Sequence, residues 1–140
     1  MPTSTRFALS VHILALLAKH RDSVVTSEKI ARSAGTNPAF IRRVLIDLSK
    51  AGLTKSQLGK GGGAMLAKGP KKISLLEIYR AVETGQLIAQ PKPTRQGSPI
   101  AEAISPVLCD LADQAEAAFY KSLEGVSLKE VLKQMKLKAA

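Results

Sequence analysis

Tryptophan is absent from this 140-residue chain, and three phenylalanines and two tyrosines are its only aromatic side chains. The core must therefore be aliphatic, which suits packed helices. A single cysteine, Cys109, excludes an intrachain disulfide and points to a cytoplasmic protein. No stretch approaches the ~18 uninterrupted apolar residues that a membrane span needs, so no membrane partner is expected. The apolar run from Phe7 to Ala18 is broken by Ser10 and His12. It lacks a basic leader and a small-residue cleavage site, so it reads as a buried helix and not as a signal peptide. His12 and His20 are too isolated to form a metal site, and His12 reads as a core or interface histidine. No Ser/His/Asp set, acid pair or Cys/His cluster is spaced for catalysis. An enzyme reading has no residues to rest on, and no cofactor is expected.

Acidic residues are scarce in one half of the chain only. Residues 1–72 hold 13 Lys and Arg against 3 Asp and Glu, whereas residues 73–140 hold 8 of each kind. The whole net charge of +10 thus sits in the first half. A merely soluble basic surface would spread it, so the asymmetry points to a face that binds a polyanion.

That half has a distinctive order of elements. A first helix is expected from about Thr5 to Lys19, apolar on more sides than one core requires, which suggests contact with a second subunit. A second helix starts with Thr26 or Ser27 as its cap and stops at Gly35. Asn37-Pro38 then opens a third helix to Lys50, with Asn as cap and Pro at the first helical position. On a helical wheel Ile41, Val44, Leu45 and Leu48 gather on one side, and Ala39, Arg42, Arg43, Ile46 and Lys50 on the other. Two short strands, Leu53 to Leu58 and Ala64 to Lys68, flank Gly59-Lys60-Gly61-Gly62-Gly63, whose glycines allow positive φ and a close approach to a partner. Capping boxes at Ser74–Glu77 and Ser127–Glu130 open helices reaching about Glu83 or Thr84 and about Leu137. Between them lie a Pro- and Gly-containing connector and a long helix from Pro99 or Pro106 to Leu123. Pro106 marks its start or bends it.

The pattern is that of a mainly α fold with a small β-hairpin wing. A winged helix-turn-helix occupies residues 1–84, an exposed connector 85–98, and a long dimerisation helix with a C-terminal helix 99–140. Such an arrangement puts the third helix into the major groove of double-stranded DNA and the wing on the flanking backbone. Arg42, Arg43 and Lys50 are the leading contact residues, because guanidinium suits guanine and phosphate. Ser27, Asn37, Ala39 and Phe40 are further candidates around the turn. Lys60, with the backbone amides of Gly61 and Gly62, is the candidate on the wing. A charged helix face is usually just solvated; here the preceding turn and following glycine loop favour contact. The same basic face also suits an acidic protein partner or RNA. Ile104, Leu108, Leu111, Ala115, Phe119 and Leu123 recur at helix-seam spacing and are the expected homodimer contacts. Cys109 lies beside that seam. It reads as a small buried hydrophobe rather than a redox thiol, since Asp110 disfavours the thiolate and no cation lies within four residues.

Several runs carry a resemblance: Ser27-Glu-Lys-Ile-Ala31, Arg43-Val-Leu-Ile-Asp-Leu-Ser-Lys-Ala-Gly-Leu53, Gly59-Lys-Gly-Gly-Gly63 and Ile73-Ser-Leu-Leu-Glu-Ile-Tyr-Arg-Ala-Val-Glu83. In these the chain resembles the Rrf2 family of bacterial winged-helix regulators over nearly its full length. The resemblance implies a homodimeric repressor acting on a partly palindromic site, in which a long helix crosses onto the partner and the last helix packs back. Cluster-binding relatives carry three cysteines in the connector, and this chain has none there. Ser98-Pro99-Ile100 stands where many relatives read Cys-Pro-Val, so an iron–sulfur cluster is not expected. A signal would then fall to Cys109, to a small-molecule effector beneath the first and long helices, or to protein abundance alone. The wing also departs from the family pattern: Lys60 replaces a frequent proline, and Ala64-Met65 a frequent aromatic.

Overall fold

Helices begin where polar caps stand. The structure, a computed structural model, describes residues 4–89 and 98–135. Helices α1 (Arg6–Lys19), α2 (Ser27–Ala34) and α3 (Pro38–Lys50) precede strands β1 (Thr54–Gln57) and β2 (Gly63–Leu66). After a 3-10 turn at Pro70–Lys72 come α4 (Leu75–Val82), α5 (Pro99–Glu124) and α6 (Leu128–Gln134). The Oγ1 of Thr26 accepts the Lys29 N–H at 3.1 Å and so caps α2. Ser74, Ser98 and Ser127 do the same for α4, α5 and α6. Each satisfies an amide that a helix start leaves orphaned. Only the serine half of each expected capping box forms among the described residues, and the Glu77 carboxylate instead accepts from Lys68 Nζ at 2.6 Å. Pro106 is not a helix start. It lies inside α5 and faces solvent, where water can serve the carbonyl that it cannot bond.

The aliphatic core combines α1 (Ile13, Leu14, Leu17), α2 (Ile30), α3 (Ile41, Val44, Leu48) and the strand side (Val25, Leu53), with Ile73, Ile78 and Leu128, all at most 2% exposed. Leu128 belongs to α6, whose entry is tied to α4 by Leu75 N–H to the Val126 carbonyl (2.9 Å) and Leu128 N–H to the Ile73 carbonyl (2.8 Å). The last helix therefore shares the core of the winged-helix head. His12 is not in that core: it is exposed and its Nε2 bonds Ser33 Oγ at 2.8 Å.

Four of the five aromatic rings meet at one joint. Tyr79 of α4 stands 5.6 Å from Phe7 of α1, 5.2 Å from Phe119 and 6.2 Å from Tyr120 of α5, and Arg80 lies over the Tyr120 ring. Edge-to-face rings at such distances contribute beyond their buried area. Burial, with the Glu83 carboxylate next in importance, pushes the Tyr79 hydroxyl up, so it stays neutral. Phe119, expected in the dimer seam, instead seats α5 on its own head.

The strands pair antiparallel with Thr54 opposite Leu66 and Gln57 opposite Gly63, and Ala64 bridges to Val25 on the other side. The close approach expected of the glycine loop is internal here. A Cβ at Gly63 would stand 2.5 Å from the Val25 carbonyl oxygen, and one at Gly62 2.1 Å from that of Gln57. These are backbone atoms that cannot swing away. Gly63→Ala should destabilise the protein by about 1–3 kcal/mol, read as a lowered Tm in thermal unfolding by circular dichroism. An unchanged Tm would mean that the wing root is looser than this packing.

Candidate nucleic-acid interface

The third helix turns its charge outward because its other side is committed to the core. Ile41, Val44, Leu45 and Leu48 are between 0 and 8% exposed, whereas Ala39, Arg42, Arg43, Ile46 and Lys50 are exposed. Asn37 Oδ1 accepts the Phe40 N–H at 2.9 Å, so the helix start is capped and its entry angle fixed. At the far end of the helix, an ion pair between Arg6 and Asp47 ties α3 to α1, and Arg6 Nε also donates to the Val82 carbonyl of α4 at 3.3 Å.

Between α3, the start of α2 and the wing lies an open cleft of about 510 Å³. Ser27, Arg42, Lys50 and Gly62 line it, and so do Glu28, Ile46 and Leu58. The structure thus brings four of the sequence-predicted residues together. Asn37, Ala39, Phe40 and Arg43 stand along the N-terminal part of α3, outside the cleft wall. Lys60 and Gly61 are exposed in the turn between β1 and β2.

Several of these residues have partners that the pattern alone did not disclose. Arg42 bonds Glu28 at 2.8 Å, with both side chains more than half exposed. The Arg43 guanidinium lies 5.6 Å from the Phe40 ring centre, which gives Phe40 a supporting part beneath a cation. Asn37 uses its carbonyl oxygen as a cap. The N–H of Gly62 is engaged by the Gly59 carbonyl at 3.0 Å, so it is not free to hold phosphate. Glu28, Ile46 and Leu58 are cleft residues that the charge-based reading passed over. The wheel already put Ile46 on the outer arc, so that signal was present.

The expected seam on α5 is largely bare. Ile104, Leu108 and Leu111 are 41–55% exposed, and Ile100 (76%) and Val107 (55%) extend the stripe. Ala115 is exposed, Leu123 is half-buried, and Ala112 is the only buried residue of this 26-residue helix. Cys109 is half-buried beside the stripe. Beneath α1, an open and mostly apolar groove of about 500 Å³ is lined by Ala8, Val11, Ala15, Leu16, Val131 and Met135, with His12, Lys19 and Ser33 at its edge. Its other wall is α6, and not the long helix.

The Rrf2 family profile, described as an iron-dependent transcriptional regulator, matches residues 3–134. The chain belongs to the Rrf2 family. YwnA of Bacillus subtilis, named as an HTH-type transcriptional regulator, is 35% identical over 133 residues, covering 94% of this chain and 98% of its own. The crystal structure of a transcriptional regulator from Lactobacillus plantarum superposes with TM-score 0.80 at 28% identity, covering 92% of this chain and 88% of that one. That of a DNA-binding protein superposes with TM-score 0.75 at 36% identity, covering 91% and 98%. The fold is thus a winged helix, and this Rrf2 protein is a transcriptional regulator, not an enzyme. No helix among the described residues is long and apolar enough to cross a membrane.

The family description implies iron, and the donors of this chain do not fit it. Iron–sulfur clusters are held chiefly by several thiolates, and this chain has one cysteine. Residues 90–97 contain no Cys, His, Asp or Glu. Among the described residues no three such side chains are grouped to hold a metal.

Because Asn37 caps α3, its loss should act first on stability. Asn37→Ala should cost about 1 kcal/mol in chemical denaturation, and Asn37→Ser should restore most of it. Full stability of the alanine variant would remove the capping role and return Asn37 to the list of direct contacts.

Proposed function

We propose that this Rrf2 protein is a sequence-specific regulator that binds duplex DNA as a homodimer, represses transcription, and acts in the cytoplasm. The observation that carries the reading is the cleft, where a cationic helix face and a glycine-rich wing converge on the side from which the core is excluded. Two such faces related by a two-fold axis would meet successive major grooves roughly 34–36 Å apart, and hence a partly palindromic site. The excess positive charge of residues 1–72 supplies the sequence-independent attraction. Repression rests on family habit.

Dimerisation is supported by two unpartnered apolar features on one chain: the stripe Ile100, Ile104, Val107, Leu108 and Leu111 on α5, and the groove under α1 and α6. A bare aliphatic stripe of that length on a soluble protein marks an interface. Removing residues 99–140 would also remove Leu128 from the core, so charge substitution tests the seam more cleanly. Leu108→Glu with Leu111→Glu should give a folded monomer in sedimentation and weaken operator binding on the order of 100-fold, through loss of the second contact. A double variant that still sediments as a dimer would refute the seam.

Gel shifts with genomic fragments over a salt series test the DNA reading itself. Arg42→Ala and Arg43→Ala should each cost about 1–3 kcal/mol on the best site, whereas Lys60→Ala should weaken all sequences alike and lower the salt slope. Absence of any sequence preference near physiological salt would sink the reading and favour an acidic protein or RNA as partner.

A further inference from the structure

The middle of the outward face of α3 is apolar. At about 100° per residue, the exposed positions run in the order Ser49, Arg42, Ile46, Ala39, Lys50, Arg43 across an arc of about 120°. Ile46 and Ala39 lie between Arg42 on one side and Lys50 and Arg43 on the other, with the small Ser49 beyond Arg42. Ile46 is 54% exposed, while the four aliphatic residues of the opposite face are at most 8% exposed. It adds little to the core. A β-branched side chain is also a weaker helix former than Lys, Glu or Ala, so it does not serve the helix either. It lines the cleft between Arg42, one turn before it, and Lys50, one turn after.

A helix lying in the major groove turns the middle of its face to the base edges and its margins to the phosphates. Most features on those edges are hydrogen-bond donors and acceptors, which an isoleucine cannot use. The exception is the C5 methyl of thymine. We infer that Ile46 is a specificity-determining residue that packs on a thymine methyl in each half-site. The inference rests on the duplex-DNA reading above. Leu58, 91% exposed on the wing side of the same cleft, is the rival aliphatic reader. It stands on the hairpin and not on the groove helix, so thymine discrimination is assigned to Ile46.

The test uses the full chain and a duplex that it selects from a random-sequence pool. Each thymine of that duplex is replaced in turn by deoxyuridine, which removes only the methyl. At one thymine per half-site the wild-type protein should lose about fourfold in affinity, the fold-change that corresponds to about 0.8 kcal/mol per buried methyl-sized group. Changing both half-sites together should cost roughly sixteenfold if they are independent. Ile46→Ser should bind the thymine and uracil duplexes equally, Ile46→Val should keep the discrimination, and Leu58→Ser should leave it unchanged. Indifference of the wild-type protein to uracil at every thymine would overturn the inference and leave the DNA reading standing. Discrimination that survives Ile46→Ser, or that Leu58→Ser abolishes, would overturn it too. If the protein selects no sequence from the pool, the DNA reading itself falls, and with it this one.

Discussion

The basic face and the wing beside it are set by the burial of one stripe on α3. Ile41, Val44, Leu45 and Leu48 are held against α2, α4 and β1. Each such aliphatic side chain is worth about 1.5–3 kcal/mol when buried. Rolling the helix by half a turn would expose all four and force Arg42, Arg43 and Lys50 towards the interior, where an unpaired charge is far more costly still. The orientation of the basic face therefore needs no ligand to define it. The wing inherits the same constraint: Leu53 is fully buried immediately after α3, Ala64 and Leu66 anchor the return strand, and Val25 pairs with Ala64. The cleft is the space left between two elements that one core fixes.

The scarce aromatics perform a different task. Phe7, Tyr79, Phe119 and Tyr120 join α1, α4 and α5 at a single place, so the long helix has one firm seat on the head. Beyond that seat α5 carries bare aliphatic residues. In the proposed homodimer, a helix gripped near one end by rings would pass the position of an interface at Leu108 and Leu111 to α4, which itself packs on α3. The Arg6–Asp47 pair and the Arg6–Val82 bond lock α1, α3 and α4 into one unit. In the proposed homodimer, a change in the relative angle of the two long helices would therefore move whole heads rather than distort them.

How much of this was legible in the sequence depended on the range of the interaction. Caps are local, so Thr26, Asn37, Ser74 and Ser127 announced helix starts correctly, and the wheel sorted the two faces of α3 without error. The long helix was legible too, except that Pro106 offered a false second start; the Ser98 cap and Pro99 at the first position decided it. Contacts between distant residues were not legible. Nothing near Phe119 says that its ring will meet Tyr79 forty residues away, and nothing near Gly63 says that a carbonyl from Val25 will occupy the space of its missing side chain. The glycine loop reads as making room for a partner, yet much of that room is filled by the protein's own backbone. Of the candidate interface, the charged members were found because charge is conspicuous. Ile46 and Leu58 were passed over as contacts because an isolated aliphatic residue on a surface ordinarily means nothing.

Glu28 shows why the composition of the face matters more than its net charge. Its pair with Arg42 is exposed on both sides, so it adds little to stability. On the proposed DNA-binding face, this carboxylate would weaken attraction to every phosphate backbone alike. It also gives the guanidinium a partner that must be exchanged for another before Arg42 reaches a ligand. A guanine edge offering two acceptors compensates that exchange better than a single phosphate oxygen. On that reading the pair would subtract more from non-specific than from specific binding, which is how a repulsive element sharpens discrimination. On the proposed duplex-DNA reading, an apolar middle that hydrogen-bonding edges cannot satisfy would reject most sequences, and the surplus cations of residues 1–72 would supply the general affinity that such selectivity costs.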